Sequence, residues 1–198
     1  MQDHFHKKAD TWDEGNIRVQ GAKIIADAIK NRIHLNKEMQ IMDFGAGTGL
    51  LGFEIAKSVK KVYAIDTSRS MLEKLEAKNT KELNIQIYCQ DIIKEPINKI
   101  FDGIVSSMTL HHIKDLESFF KTIYKNLKKD AFIAIADLQT EDGTFHSDNT
   151  GVYHFGFDEK QLSKIILSYG FKDIKFEIIN TITKTQKEFK VFLISAKK

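Results

Sequence analysis

At 198 residues, with 42% apolar residues and 14 Phe, the chain can bury a full sheet core as one domain and is too apolar for disorder. No run approaches the length of a membrane span, and Met1–Lys8 lacks the apolar stretch of a signal peptide, so a cytoplasmic location is expected. The net charge of +3 is carried by Lys interspersed with Asp and Glu, with Arg only at 18, 32 and 69, which gives no basic patch for nucleic acid.

Ile25, Ile29 and Ile33 recur every four residues and predict a helix from Ile17 to Ile33. Gln40–Phe44 reads as a first strand, and Leu51, Ile55 and Val59 mark one face of the next helix. Lys61–Ile65 is a second strand ending at Asp66, followed by a helix carrying Met71, Leu72 and Leu75 with Ser70 as its cap. Ile85–Cys89 makes a third strand, in which the single cysteine is expected to be a buried, inert thiol. Phe101–Ser106 is a fourth, and Leu116, Phe119, Phe120, Ile123 and Leu127 describe the clearest amphipathic helix. Phe132–Leu138 is a fifth strand, whereas Gln139–Phe157 has no clean period. A helix with Leu162, Ile165, Ile166 and Tyr169 stops at Gly170, and strands near Phe171–Ile179 and Glu188–Ala196 close the chain as an antiparallel pair.

Alternation of strand and helix predicts an α/β fold: a doubly wound, mostly parallel sheet with helices on both faces. One domain is expected, divided into an N-terminal lid and helix (1–36), a cofactor-binding core (37–138), an acceptor-covering segment (139–157) and a closing helix and strand pair (158–198).

The most informative stretch is Asp43-Phe44-Gly45-Ala46-Gly47-Thr48-Gly49-Leu50, where a strand ends in an acid and three alternate glycines open a helix. Such a turn lets backbone approach a nucleotide-like ligand. A dinucleotide fingerprint requires a small residue where Leu50 stands. In open α/β sheets the ligand lies beyond the carboxyl ends of the strands, so strand-end residues are site candidates. Asp66 stands where a carboxylate can accept from two ribose hydroxyls, with Thr67 and Met71 after it. At Gln90-Asp91-Ile92 a carboxylate can meet an adenine amino group and an apolar side chain can cover the base. The fourth strand runs into Ser106-Ser107-Met108-Thr109-Leu110-His111-His112.

Asp-x-Gly-x-Gly-x-Gly resembles motif I of the class I S-adenosylmethionine-dependent methyltransferases, and the four strand-end motifs together resemble their small-molecule branch from about Lys7 to Gly170. Lys7–Asp13 is similar to the lid of quinone-type methyltransferases, with Trp12 at the aromatic position. The resemblance implies a seven-stranded sheet with its last strand antiparallel, and S-adenosyl-L-methionine as cofactor with S-adenosyl-L-homocysteine as product. It implies cofactor contacts from Trp12, Asp43, Gly45, Ala46, Gly47, Thr48, Asp66, Thr67, Met71, Gln90, Asp91, Ile92, Ser106, Ser107 and His111, with Asp43 receiving the cofactor's amino group. His111 is the candidate base or acceptor contact, and Phe5, Tyr153, His154 and Phe155 are candidate acceptor contacts.

The spacing of His146, Asp148 and His154 matches no zinc pattern, so no metal is expected. The Asn-Pro-Pro-aromatic tetrapeptide of adenine and glutamine N-methyltransferases is absent after the fourth strand. The expected partner is a small-molecule acceptor, without nucleic acid or membrane insertion, the protein being a monomer or homodimer. The acceptor and its methylated atom are not readable from these motifs, which place cofactor atoms only. Two alternatives stay open at this point: a nicotinamide oxidoreductase, and a cofactor-binding module without turnover.

Overall fold

Residues 5–198 are described in a computed structural model. The apolar runs form β1 (Gln40–Phe44), β2 (Lys61–Asp66), β3 (Ile85–Cys89), β4 (Phe101–Ser107), β5 (Leu127–Leu138), β6 (Lys172–Lys184) and β7 (Lys187–Lys197). They build one sheet in the order β3-β2-β1-β4-β5-β7-β6. Pairings from β3 across to β5 are parallel, and β7 runs antiparallel to both β5 and β6. Strand order reverses between β1 and β4, the position at whose carboxyl ends open α/β sheets bind ligands.

Among the described residues six α-helices accompany the sheet: α1 (His6–Ala9), α2 (Asn16–Arg32), α3 (Leu50–Ala56), α4 (Arg69–Lys78), α5 (Leu116–Lys125) and α6 (Glu159–Ser168). Side chains alternate across each strand, so each strand feeds two cores. Ile41, Val62, Val105 and Ala134 pack with Ile25 and Ile29 of α2, Leu51 and Ile55 of α3, and Leu72 and Leu75 of α4. Met42, Ile65, Ile104 and Ile133 face the other way, onto Phe119, Phe120 and Ile123 of α5 and Leu162 and Ile166 of α6. Each fully buried Phe or Ile contributes roughly 1.5–3 kcal/mol relative to exposure, so these two layers fix the sheet on which the strand ends are displayed.

Four local expectations are corrected. Ser68, not Ser70, caps α4, its Oγ accepting from the Met71 N–H at 3.3 Å. Leu127 belongs to β5 and pairs with Phe101, because α5 ends where the Asn126 side chain turns inward to donate to the carbonyls of Ile97 and Lys99. Cys89 is exposed, since β3 is the edge strand of the sheet among the described residues. The closing hairpin is longer than its apolar pattern: polar residues continue both strands to a tight turn at Thr185 and Gln186, both at positive φ.

Candidate active site

The glycine loop joins β1 to α3 and is pinned to the neighbouring strand, where the N–H groups of Gly45 and Ala46 donate to the Ile65 carbonyl at 2.8 and 3.1 Å. Gly45 has φ +70, and a Cβ there would lie 2.2 Å from the Thr109 side chain, so only glycine lets the loop meet the β4 end. Gly47, at φ +53, faces open space on the side where a Cβ would project. Its N–H donates to Asp66 Oδ2 at 2.7 Å, and the Ser68 N–H donates to Asp66 Oδ1 at 2.8 Å. The β2-end carboxylate is thereby fixed at the loop's mouth.

Asp43 is buried beneath the loop, and its Oδ2 has no hydrogen-bond partner. Burial, then the charge of Asp66, raises its pKa to about 7, offset in part by the Gly52 N–H. At the β3 end, Asp91 caps a turn: Oδ1 accepts from the Ile93 N–H and Oδ2 from Lys94 Nζ, at 3.1 and 2.8 Å. Partial burial pushes this carboxyl up, but the Lys94 ammonium and the turn N–H groups outweigh it and leave it below its usual value. Gln90 donates to the Glu95 carbonyl, Thr67 is exposed, and Met71 and Ile92 are buried in the cores. Ser106 Oγ donates to the Phe44 carbonyl at 2.8 Å, and the Ser107 carbonyl accepts from Thr109 Oγ1.

The N-terminal segment lies against the glycine loop, α4 and His112. Asp13 accepts from Thr48 Oγ1 at 2.6 Å and pairs with Lys78, while Asp10 pairs with Lys74 of α4 at 2.5 Å. The guanidinium of Arg18 stands 4.3 Å above the Trp12 ring, and Phe5 meets Trp12 edge-on at 5.8 Å and His112 at 5.4 Å. Residues 1–4 of the expected lid lie outside the described residues.

Beyond the β4 end, His111 is 1% exposed, its Nδ1 2.7 Å from Asp137 Oδ1. The backbone N–H of His111 donates to Asp137 Oδ2 at 3.1 Å. With Nδ1 facing a carboxylate, the ring carries its proton there, which leaves Nε2 as a lone-pair acceptor; Nε2 is buried and has no partner. The rings of His112 and His146 lie 4.1 and 4.9 Å from that of His111. Burial first, then the neighbouring His111 ring, lowers both His112 and His146 to about 4, so both are neutral at pH 7. Among the described residues no three His, Cys, Asp or Glu side chains are arranged to hold a metal ion.

A family model described as a methyltransferase domain matches residues 35–153, which holds the glycine loop, Asp66 and the His111–Asp137 pair. The chain belongs to that methyltransferase family. An uncharacterized methyltransferase of Schizosaccharomyces pombe is 32% identical over 136 residues, covering 60% of this chain and 48% of that protein. The ubiquinone biosynthesis O-methyltransferase of Pelagibacter ubique is 29% identical, covering 68% and 62%. The chain thus spans about half the length of the first of these relatives, and less than two thirds of the second. Among solved structures, a chain of the complex between the Haloferax volcanii Trm112 methyltransferase activator and its methyltransferase superposes with a TM-score of 0.78 at 14% identity, covering 100% and 98%. That likeness shows the fold. Membership in the methyltransferase family sets aside the nicotinamide alternative.

The residues expected at the acceptor separate. Phe5 reaches the histidine cluster through His112. Tyr153 and Phe155 are exposed, and His154 Nε2 is 2.9 Å from the Ile113 carbonyl. Segment 139–157 instead delivers Phe145 and His146, whose rings meet at 4.9 Å, with His146 against His111. Asp137, the other half of the buried pair, had one signal in the sequence: a carboxylate inside the apolar run Phe132–Leu138 requires a buried partner. Nothing local marks His146.

Proposed function

We propose that the chain is an S-adenosylmethionine-dependent methyltransferase acting on a small molecule in the cytoplasm. The observation that carries this reading is the set of residues gathered at the carboxyl ends of the strands where their order reverses: a glycine loop with a fixed Asp66 beyond β1 and β2, and a buried His111–Asp137 pair, its Nε2 without a partner, beyond β4 and β5. The residues fit the cofactor. Gly47 leaves open space at the loop, and Asp66, which holds the N–H groups of Gly47 and Ser68, stands at the strand end where ribose hydroxyls would be received. The Oδ2 of Asp43, orphaned under the loop, suits the cofactor's amino group, whose positive charge favours the ionised carboxylate that burial alone disfavours. Thr48, Ala46 and Gly45 shape the loop, and Gln90, Asp91 and Ile92 border the adenine end. Ser106 and Ser107 hold the β4 end in place, and Trp12 covers the methyl-donor side.

Bound there, the cofactor supplies a methyl carbon on cationic sulfur with a neutral thioether as leaving group, so the protein's task is alignment and exclusion of water. One face of Trp12 holds the Arg18 guanidinium, and the other favours positive charge by about 0.5–2 kcal/mol. His111 Nε2 takes the proton that the acceptor gives up, while Asp137 holds the ring and stabilises the imidazolium that results. A binding module without turnover has no use for such a pair.

A metabolite panel assayed for S-adenosylhomocysteine release tests the reading. Release with at least one hydroxyl or acid acceptor, lost in His111→Gln, is the expected result. Release that His111→Gln leaves unchanged would remove the base from the mechanism.

A further inference from the structure

Among the described residues four buried side-chain polar atoms have no hydrogen-bond partner, and two of them are the Nε2 atoms of His111 and His146. The two rings are neighbours, with centroids 4.9 Å apart and planes tilted by 42°. His112, the third imidazole of the cluster, is committed elsewhere, its Nδ1 2.8 Å from the Gly151 carbonyl. Leaving two adjacent buried nitrogens unsatisfied costs free energy, and a polar group that meets both offsets that cost. His146 is only partly buried and is followed by the exposed residues 147–150, so the cluster borders solvent on this side.

The two nitrogens have different roles. Asp137 holds the His111 proton on Nδ1, which leaves His111 Nε2 able only to accept. A group that donates to His111 Nε2 and also satisfies its neighbour must accept from His146, which then carries its proton on Nε2. Burial first, then the His111 ring, holds His146 neutral at pH 7, so it offers an N–H without a full charge. One oxygen can bridge two nitrogens up to roughly 5.5 Å apart, about twice a hydrogen-bond length, and the 4.9 Å between ring centres lies inside that span.

A hydroxyl meets these demands. Its proton goes to His111 Nε2, one lone pair accepts from His146, and the other lone pair remains for attack. A neutral amine has a single lone pair, which cannot both accept and attack, and an ammonium has none. A carboxylate has no proton to give and sets lone pair against lone pair at His111. A carbon acid offers no acceptor at the reacting atom. Resting on the methyltransferase reading above, we propose that the acceptor is methylated on a hydroxyl oxygen, and that His146 Nε2–H is the specificity contact that receives this oxygen while His111 takes its proton. The O–H bond pair stays on oxygen as the proton moves, an oxygen lone pair forms the bond to the methyl carbon, and the pair of the broken C–S bond leaves on the thioether. The positive charge that began on sulfur ends on the His111 imidazolium, beside Asp137. Phe145, edge-on to His146 at 4.9 Å, and Phe5, edge-on to His112 at 5.4 Å, suit an apolar or aromatic body on the hydroxyl.

The test uses the full chain, isotope-labelled at histidine and saturated with S-adenosylhomocysteine, followed by NMR as phenol, aniline or toluene is added. With phenol bound, the ring spectra should show His111 protonated on Nδ1 and His146 on Nε2, with both Nε2 signals moved by the ligand. Phenol should bind at least about fivefold more tightly than toluene, or than aniline, whose delocalised lone pair accepts weakly. His146→Phe keeps a ring and removes the donor, and should cut the preference for phenol about fivefold; His146→Gln, whose amide restores an N–H, should recover part of it. Retained S-adenosylhomocysteine affinity in both variants shows that fold and cofactor site survive, and the wild-type spectra decide the point without any variant. Aniline or toluene binding as tightly as phenol, a His146 proton on Nδ1 in the phenol complex, or a preference unmoved by His146→Phe overturns the hydroxyl assignment alone. Failure of the wild-type protein to bind S-adenosylhomocysteine overturns the methyltransferase reading, and this assignment with it.

Discussion

Asp137 grips His111 twice, through the imidazole at 2.7 Å and through the backbone N–H at 3.1 Å, so one carboxylate sets both the position of the ring and the side on which its proton sits. Orientation and tautomer are fixed before any acceptor arrives. Loss of a positioned general base costs about 10²–10⁴-fold, so His111→Gln should lower kcat within that range while leaving S-adenosylhomocysteine affinity unchanged. Asp137→Asn should lower kcat by a smaller factor at unchanged KM, because the amide keeps the position and loses the charge. A fall in cofactor affinity with intact kcat in either variant would place the pair in cofactor binding instead.

Asp66 links loop and ligand, since its two oxygens already receive the N–H groups of Gly47 and Ser68. Asp66→Ala removes the acceptor for two ribose hydroxyls and slackens the loop, which should cost about 2–4 kcal/mol of cofactor binding. The sheet core does not include this residue, so thermal unfolding should move little. Wild-type affinity in Asp66→Ala would misplace the ribose.

Thr48 is the point at which the N-terminal segment touches the glycine loop, through its hydroxyl and Asp13. Thr48→Val keeps the shape and deletes that bond, which should weaken S-adenosylhomocysteine by about 0.5–1.5 kcal/mol and raise amide exchange over residues 5–15. Trp12 is the single tryptophan and reports the same segment by fluorescence. Exchange and emission that ignore both the substitution and the ligand would argue against a lid.

His112 and His146 give the fold an acid sensitivity of definite sign. Both have pKa values near 4 in the folded chain, below the ordinary histidine value of 6.5, so the unfolded chain binds more protons between those limits. Their contribution to stability is complete above about pH 6.5 and is lost as the pH falls toward 4. Urea midpoints should therefore drop across that window, and His146→Phe should flatten the drop. A midpoint that rises on acidification through the window would contradict the burial of neutral imidazoles.

Legibility in the sequence followed the range of the interactions concerned. The run from Asp43 to Leu50 is readable because turn, glycine spacing and helix start lie within eight residues, and the sheet layout follows from alternating apolar periods. Asp66 and His111 are readable as strand-end residues. Ser68 and Ser70 compete for one cap, and only the extended backbone of Ser68 qualifies it. Asp137 and His146 meet His111 across 26 and 35 residues of chain, and Lys184 meets Phe145 across 39, and no local pattern encodes such encounters. Tyr153 and Phe155 look equally suited from composition, yet they face solvent while Phe145 and His146 face inward.

Calorimetric titration of the full chain with S-adenosylhomocysteine, beside NAD and beside the Gly47→Val variant, tests the central claim most directly. Gly47 has φ +53 and faces open space, so a valine there both strains the backbone and projects into the cofactor's volume. Saturable binding of S-adenosylhomocysteine by the wild type, abolished by Gly47→Val and absent for NAD, is the predicted result. Tight binding of NAD with no heat from S-adenosylhomocysteine would contradict the account.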